Sequence, residues 1–111
     1  MAKLEQEDLQ KCPVTACLHV IGGRWKPILI DLVSMGCDRF RALGRAVPYI
    51  SKQMLTRQPR ELEADGVMSR TVFAEVPPRV EYALTKRGKT LLPIFHAMRD
   101  WGQGQLERAR K

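Results

Sequence analysis

The sequence predicts an α+β domain, mainly helical, with a single two-stranded β-hairpin placed just before the last helix. Three observations carry this expectation. Apolar residues recur at helical spacing in four segments between Pro13 and Leu62. Two later segments, Met68 to Phe73 and Arg79 to Leu84, are rich in Val, Thr, Phe and Tyr, and the second alternates apolar with polar residues. Glycine or proline punctuates most junctions between segments. The 111 residues suit one domain spanning 1–111, and 44 % hydrophobic composition supplies a core.

The first helix opens at Pro13, because a missing N–H costs nothing in a first turn. Val14, Cys17, Leu18 and Ile21 form its apolar side, and Gly22-Gly23 ends it. The second carries Trp25, Ile28, Leu29, Leu32 and Val33 on one face, tolerates Pro27 near its start and ends at Gly36. The third is short, with Phe40, Leu43 and Val47 apolar and Pro48 closing it. Ser51 then reads as the N-cap of a longer helix, with Ile50 stapled against Leu55. Met54, Leu55 and Leu62 mark its buried face, and Asp65-Gly66 stops it. Ala74 to Pro78 forms the tip of the hairpin. Thr85 caps a last helix whose apolar positions are Leu91, Leu92, Ile94, Phe95, Met98 and Trp101, with a kink expected at Pro93. Helices followed by a hairpin with an exposed tip follow the order of a winged helix-turn-helix. The short third helix, the turn at 48–50 and the fourth helix form the helix-turn-helix itself.

Charge is the sharpest functional signal. Lys plus Arg number 19 against 12 Asp plus Glu, a formal net charge of +7. Six basic residues (Arg39, Arg41, Arg45, Lys52, Arg57 and Arg60) lie between Arg39 and Arg60 with no acidic residue among them. The rest of the chain, with 13 basic and 12 acidic residues, is nearly balanced. An ordinary solvated face mixes signs; a one-signed run across two helices joined by a tight turn favours double-stranded DNA as partner. On the recognition helix Lys52, Gln53, Thr56, Arg57 and Arg60 face away from the apolar side. Gln and Arg suit bidentate contacts to base edges, while Lys and the helix N-terminus suit phosphates. Ser51 reads either as a cap alone or as a cap that also contacts DNA. Arg39 suits a phosphate clamp. Arg79, beside the hairpin tip, reads either as a contact to flanking DNA or as a solvated strand-end residue.

Together these stretches resemble the HxlR-type winged-helix regulators of bacteria. The resemblance is carried by Cys12-Pro13-Val14, Ile21-Gly22-Gly23-Arg24-Trp25, Arg39-Phe40-Arg41-Ala42-Leu43, Ile50-Ser51-Lys52-Gln53-Met54-Leu55-Thr56 and Arg60-Glu61-Leu62-Glu63-Ala64-Asp65-Gly66. It continues through Glu75-Val76-Pro77-Pro78-Arg79-Val80-Glu81-Tyr82 and Leu84-Thr85. It covers about residues 12–102, leaving 1–10 and 103–111 as terminal extensions. It implies a transcriptional regulator that binds an inverted-repeat operator as a homodimer, with both chain ends in the dimer interface. Leu92, Ile94 and Trp101 do not share one helix face with Leu91, Phe95 and Met98, so they are the interface candidates. Coverage by the first helix of the same chain is the alternative. Some members of this family use a cysteine directly before this proline to sense oxidants, quinones or aldehydes. Cys12 occupies that place, beside Lys11 and at a helix start, both of which lower a thiol pKa. An inert, half-buried cap is the other reading of Cys12.

One position departs from the family pattern, where Pro59 replaces a leucine. A proline inside a helix removes one hydrogen bond and costs about 3 kcal/mol. A kink or break between Leu55 and Pro59 is therefore expected. It keeps open a second function, that of a winged-helix module for protein or RNA contact without specific DNA binding.

Other classes find no support in the residues. Three cysteines, an odd number, form no disulfide framework. Cys17 falls on an apolar helix side and reads as core. Cys37 lies in a turn, available to a Cys12 of a second subunit with nothing further to favour that pairing. His19, His96 and the cysteines lack metal-site spacing, so no metal and no cofactor are expected. Neither a nucleophile-base-acid set nor a glycine-rich phosphate loop is present, and no enzymatic activity is expected. Met1 to Gln10 is polar and acidic rather than a signal peptide, and no run approaches the roughly 18 apolar residues of a membrane span. These features point to a cytoplasmic protein with no membrane partner.

Overall fold

The computed structural model describes residues 11–110. The reading of Met1 to Gln10 lies outside the described residues. Among the described residues, six helices and one hairpin follow in the order α1 (Pro13–Ile21), α2 (Lys26–Ser34), α3 (Phe40–Ala46), α4 (Lys52–Ala64), β1 (Met68–Phe73), β2 (Arg79–Leu84), α5 (Lys86–Lys89) and α6 (Leu92–Ala109). The strands are antiparallel, in register from Met68 opposite Leu84 to Phe73 opposite Arg79. This is a winged helix-turn-helix, with α3 and α4 as the helix-turn-helix and β1–β2 as the wing.

Local chemistry explains the boundaries. Pro13 and Pro27 sit in first turns, where an absent N–H goes unmissed. Gly36 and Gly66, with φ of +95° and +77°, end α2 and α4 in the left-handed conformation that glycine adopts without strain. At α4 the Gly66 N–H donates to the Glu63 carbonyl at 3.0 Å and the Val67 N–H to Leu62 at 3.1 Å, the paired bonds of a Schellman stop. Gly88 is needed for a different reason: a Cβ there would lie 2.0 Å from the Val67 carbonyl oxygen.

The core lies where α2, α3, α4 and the base of the wing converge. Leu29, Ile30, Leu43 and Leu62 are wholly buried, joined by Ile21, Val33, Leu55, Val67, Met68, Tyr82 and Phe95. Burying each large aliphatic side chain contributes about 1.5–3 kcal/mol. Cys17 and Cys37 are half-buried against this cluster.

Four local expectations change. Ile30, not Ile28, is the buried isoleucine of α2, and Ile28 is exposed. Three consecutive apolar residues, Ile28 to Ile30, fit two helix phases equally well, and packing chose the second. Trp25 precedes α2 as its N-cap rather than lying on its face. The last helix is two helices. Thr85 caps only the short α5, where its hydroxyl accepts from the Gly88 N–H at 2.9 Å. The break at Thr90–Leu91 puts Pro93 in the first turn of α6, so the proline starts a helix instead of kinking one. α6 then runs to Ala109, making residues 103–109 a continuation of that helix.

The fourth change concerns Pro59. α4 is helical without interruption from Lys52 to Ala64, and Pro59 is among the most deeply buried residues. Its ring fills the apolar position that helical spacing assigns there between Leu55 and Leu62. The expected break does not occur: burial of the ring and of its neighbours offsets the one missing hydrogen bond.

Candidate nucleic-acid interface

Ser51, with extended backbone, accepts the Met54 N–H at 3.1 Å and starts α4. Beyond it Lys52, Gln53, Thr56, Arg57 and Arg60 are all exposed, at spacings that place them on one side of the helix. Among the described residues, the side chains of Lys52, Gln53 and Arg60 make no hydrogen bond or ion pair. Arg57 lies 3.8 Å from Glu61 one turn on, an exposed pair of small energy. The Thr56 hydroxyl donates to the Lys52 carbonyl at 3.0 Å, leaving its lone pairs outward. The flanks of this face are anchored: Glu61 also meets Lys26 of α2 at 3.5 Å, and Glu63 meets Arg70 of β1 at 3.4 Å. The acidic residues of α4 are thus tied to cations of α2, α4 and β1, while Lys52 and Arg60 stand unpaired among the described residues.

Arg39 and Arg79 lie elsewhere, in a cleft of about 320 Å³ between α3 and the wing tip that Arg41 and Arg45 also line. Arg39 sits 3.4 Å from Glu81 and remains mostly exposed. Arg79 is more enclosed. Its guanidinium meets Glu81 at 3.2 Å and Glu75 at 3.3 Å, and stacks 4.1 Å over the Phe73 ring. The sequence-predicted contacts therefore form two groups: Ser51 and the five exposed side chains of α4, of which Lys52, Gln53 and Arg60 are unpaired among the described residues, and two arginines tethered at the wing. Arg41 and Arg45 had entered the charge count without a role. In the sequence Glu81 carries no role beyond its place in the family stretch 75–82.

The terminal helices carry a different surface. Ile94 and Trp101 lie together on α6 with Pro93, Ala97 and Met98. Met98 belongs to this exposed side, not to the buried one assigned to it with Phe95. Leu92 is half-buried and does not line this patch. Val14 and Leu18 of α1 face Ile94 and Met98 across a second apolar hollow. α1 thus flanks this face without covering it: Ile94 is 40 % and Trp101 74 % exposed.

Cys12 is the N-cap of α1, as expected, with its thiol free and half-buried. The first-turn amide of Thr15, then that of Val14, then the Thr15 hydroxyl favour the thiolate and hold its pKa below the ordinary thiol value. Among the described residues no cluster of His, Cys, Asp or Glu could hold a metal ion, and no helix is long and apolar enough to cross a membrane.

A basic recognition helix presented by a helix-turn-helix beside a hairpin wing places the protein in the winged-helix DNA-binding class. Comparison with known proteins narrows this. The HxlR-like helix-turn-helix family model matches residues 20–110, and the chain belongs to that family. The uncharacterized HTH-type transcriptional regulator YdeP of Bacillus subtilis (strain 168) is 46 % identical over 111 residues, covering 95 % of this chain and 87 % of its own. The redox regulator HypR in its reduced form superposes with a TM-score of 0.82 at 46 % identity, covering 89 % of this chain and 98 % of its own. Its oxidized form gives 0.78 at 50 % identity, covering 84 % and 96 %.

Proposed function

We propose that this protein is a DNA-binding transcriptional regulator that grips an inverted repeat as a homodimer and answers to chemical modification of Cys12. The observation that carries the DNA reading is the outward face of α4, where Lys52, Gln53 and Arg60 stand free and exposed beside Thr56 and Arg57. Gln53 and Arg57 or Arg60 read base edges; Lys52 and the helix N-terminus take phosphates. Arg39 and Arg79 contact the flanking backbone from the wing side. The apolar face of α1 and α6 supports dimerisation, since burying it against a second copy removes Ile94, Met98 and Trp101 from water. The interaction-module reading rested on a kink or break at Pro59, and the continuity of α4 from Lys52 to Ala64 speaks against the break.

The chemistry at Cys12 is a thiolate addition. Its sulfur forms a C–S bond to a quinone ring carbon, and the ring takes up the electron pair and protons to become a hydroquinone thioether. No second thiol is required. With diamide, Cys12 and a second thiol form a disulfide while the reagent's N=N bond is reduced to a hydrazine. Either product enlarges the start of α1 beside Val14 and Leu18, and so alters how the terminal helices of two copies pack.

The test is a binding assay of reduced protein on duplexes selected from genomic fragments, over a salt series, with and without a quinone. Sequence-dependent, salt-sensitive binding that the quinone changes in wild type but not in Cys12→Ser is expected. Binding that ignores the quinone would leave a regulator with its effector elsewhere. Absence of any sequence preference would refute the regulator reading.

A further inference from the structure

One carboxylate oxygen joins the two arginines on the wing side of the candidate interface. Glu81 Oε1 lies 3.4 Å from Arg39 Nε, at the start of α3, and 3.2 Å from Arg79 Nε, at the start of β2. The backbone repeats the link. Arg39 and Glu81 form an isolated antiparallel bridge, and the Tyr82 N–H donates to the Asp38 carbonyl at 2.7 Å. Glu81 is 29 % exposed at its side chain, and Arg79 32 %, so both are partly shielded from solvent. Shielded, shared charges are screened less than lone surface pairs. A short extended segment ahead of α3 therefore behaves as a fragmentary third strand of the wing, pinned by a two-arginine carboxylate.

We infer that Glu81 is a positioning residue for DNA recognition: it locks the wing against the helix-turn-helix and aims Arg39 and Arg79. This rests on the DNA reading above. An acidic residue inside a basic surface lowers affinity for phosphates in general, by simple repulsion. The geometry here gives that charge a compensating task, to restrict two arginines and one hairpin to a single arrangement. Preorganised contacts favour the DNA that matches them over DNA that does not.

The sign of the effect separates these two roles. Glu81→Gln keeps the shape and removes the charge. If Glu81 merely repels DNA, the substitution strengthens binding to a selected duplex and to a scrambled duplex of equal length alike. If it positions, binding to the scrambled duplex rises while binding to the selected one falls about fivefold, so the ratio between them shrinks. A parallel rise, or no change in the ratio, overturns the positioning role. Hydrogen exchange of the DNA-free protein supplies an independent arm. The Tyr82 amide should exchange about fivefold faster in Glu81→Gln, with the Phe95 amide of α6 unchanged as a control for global destabilisation. An unchanged Tyr82 amide overturns the clamp whatever the DNA result. Should the Gln variant fail to fold, Glu81→Asp, which retains the charge and retracts it by one methylene, is read by the same two measurements. If wild type selects no preferred duplex, the regulator reading falls, and the clamp is judged on exchange alone.

Discussion

The helix-turn-helix with its wing and the pair of terminal helices solve the same problem differently. Between Arg39 and Leu84 lies most of the buried core, with Leu43, Val47, Ile50, Leu55, Leu62, Val67, Met68 and Tyr82 all buried, and Glu61, Glu63 and Glu81 are held by Lys26, Arg70, Arg39 and Arg79. That half is complete in one chain, apart from the basic face it shows to the outside. On α1 and α6 the reverse holds. Of eleven exposed large hydrophobics among the described residues, six (Val14, Leu18, Ile94, Met98, Trp101 and Leu106) lie on these two helices. The only long-range ion pair of α6 among the described residues joins Arg99 to Asp31 of α2. The first half has finished folding and awaits a polyanion. The second exposes a contiguous apolar surface of the kind that marks a missing protein partner.

The largest expected effect tests that asymmetry. Ile94→Glu places a charge in the apolar patch while leaving the core untouched, since Ile94 is exposed in the single chain. Sedimentation should show a dimer for wild type and monomers for the variant. Operator affinity should fall about a hundredfold or more, because two half-sites no longer bind as one event. A variant that stays dimeric at micromolar concentration would move the interface elsewhere.

Substitutions inside the finished half act on stability instead. Leu62 is wholly buried between the recognition helix and the core. Leu62→Ala should cost about 3 kcal/mol in urea denaturation, through lost burial and the cavity left behind. A cost below about 1 kcal/mol would show that this half repacks more freely than its burial suggests.

How much of this could be read without coordinates differs between the halves in the same way. The wing strands were legible to the residue, because alternation and a Pro-Pro tip leave little freedom of register. The cap at Ser51 and the stops at Gly36 and Gly66 were legible from local chemistry. The basic face of α4 was legible as charge pattern. What stayed hidden depended on tertiary choice. Periodicity identifies a helix face but not what covers it, so Met98 was assigned inward and Ile28 was preferred to Ile30. The split at Thr90–Leu91 was missed because a proline inside an apolar run signals a kink and a new helix start equally. Glu81 was hidden for a stronger reason: its two arginine partners are 42 and 2 residues away, and only the fold brings them to one oxygen.

Pro59 sharpens the comparison from within the complete half. The ring occupies a fully buried apolar site, yet position 59 supplies no N–H for the Leu55 carbonyl. Pro59→Leu restores that donor and keeps the site apolar. Thermal denaturation should show a gain of about 2 kcal/mol, the proline penalty less some strain from the larger side chain. A loss would mean that the pocket around α4 has closed onto the proline ring and no longer admits a leucine.

The smallest effect separates folding from recognition at a single atom. Ser51 Oγ accepts the Met54 N–H, so Ser51→Ala should cost about 1 kcal/mol of stability as an N-cap is lost. Gly at the same place should cost only a few tenths, because it leaves the amide open to water. If Ser51 serves only as a cap, Ala and Gly variants bind the selected duplex as wild type does once both are fully folded. If its hydroxyl also touches DNA, both lose affinity equally despite their different stabilities. Wild-type affinity in both folded variants assigns the residue to the finished fold; an equal loss in both assigns it to the surface awaiting the polyanion. The helix N-terminus is where those two regions of the molecule meet, and this pair of variants locates the boundary between them.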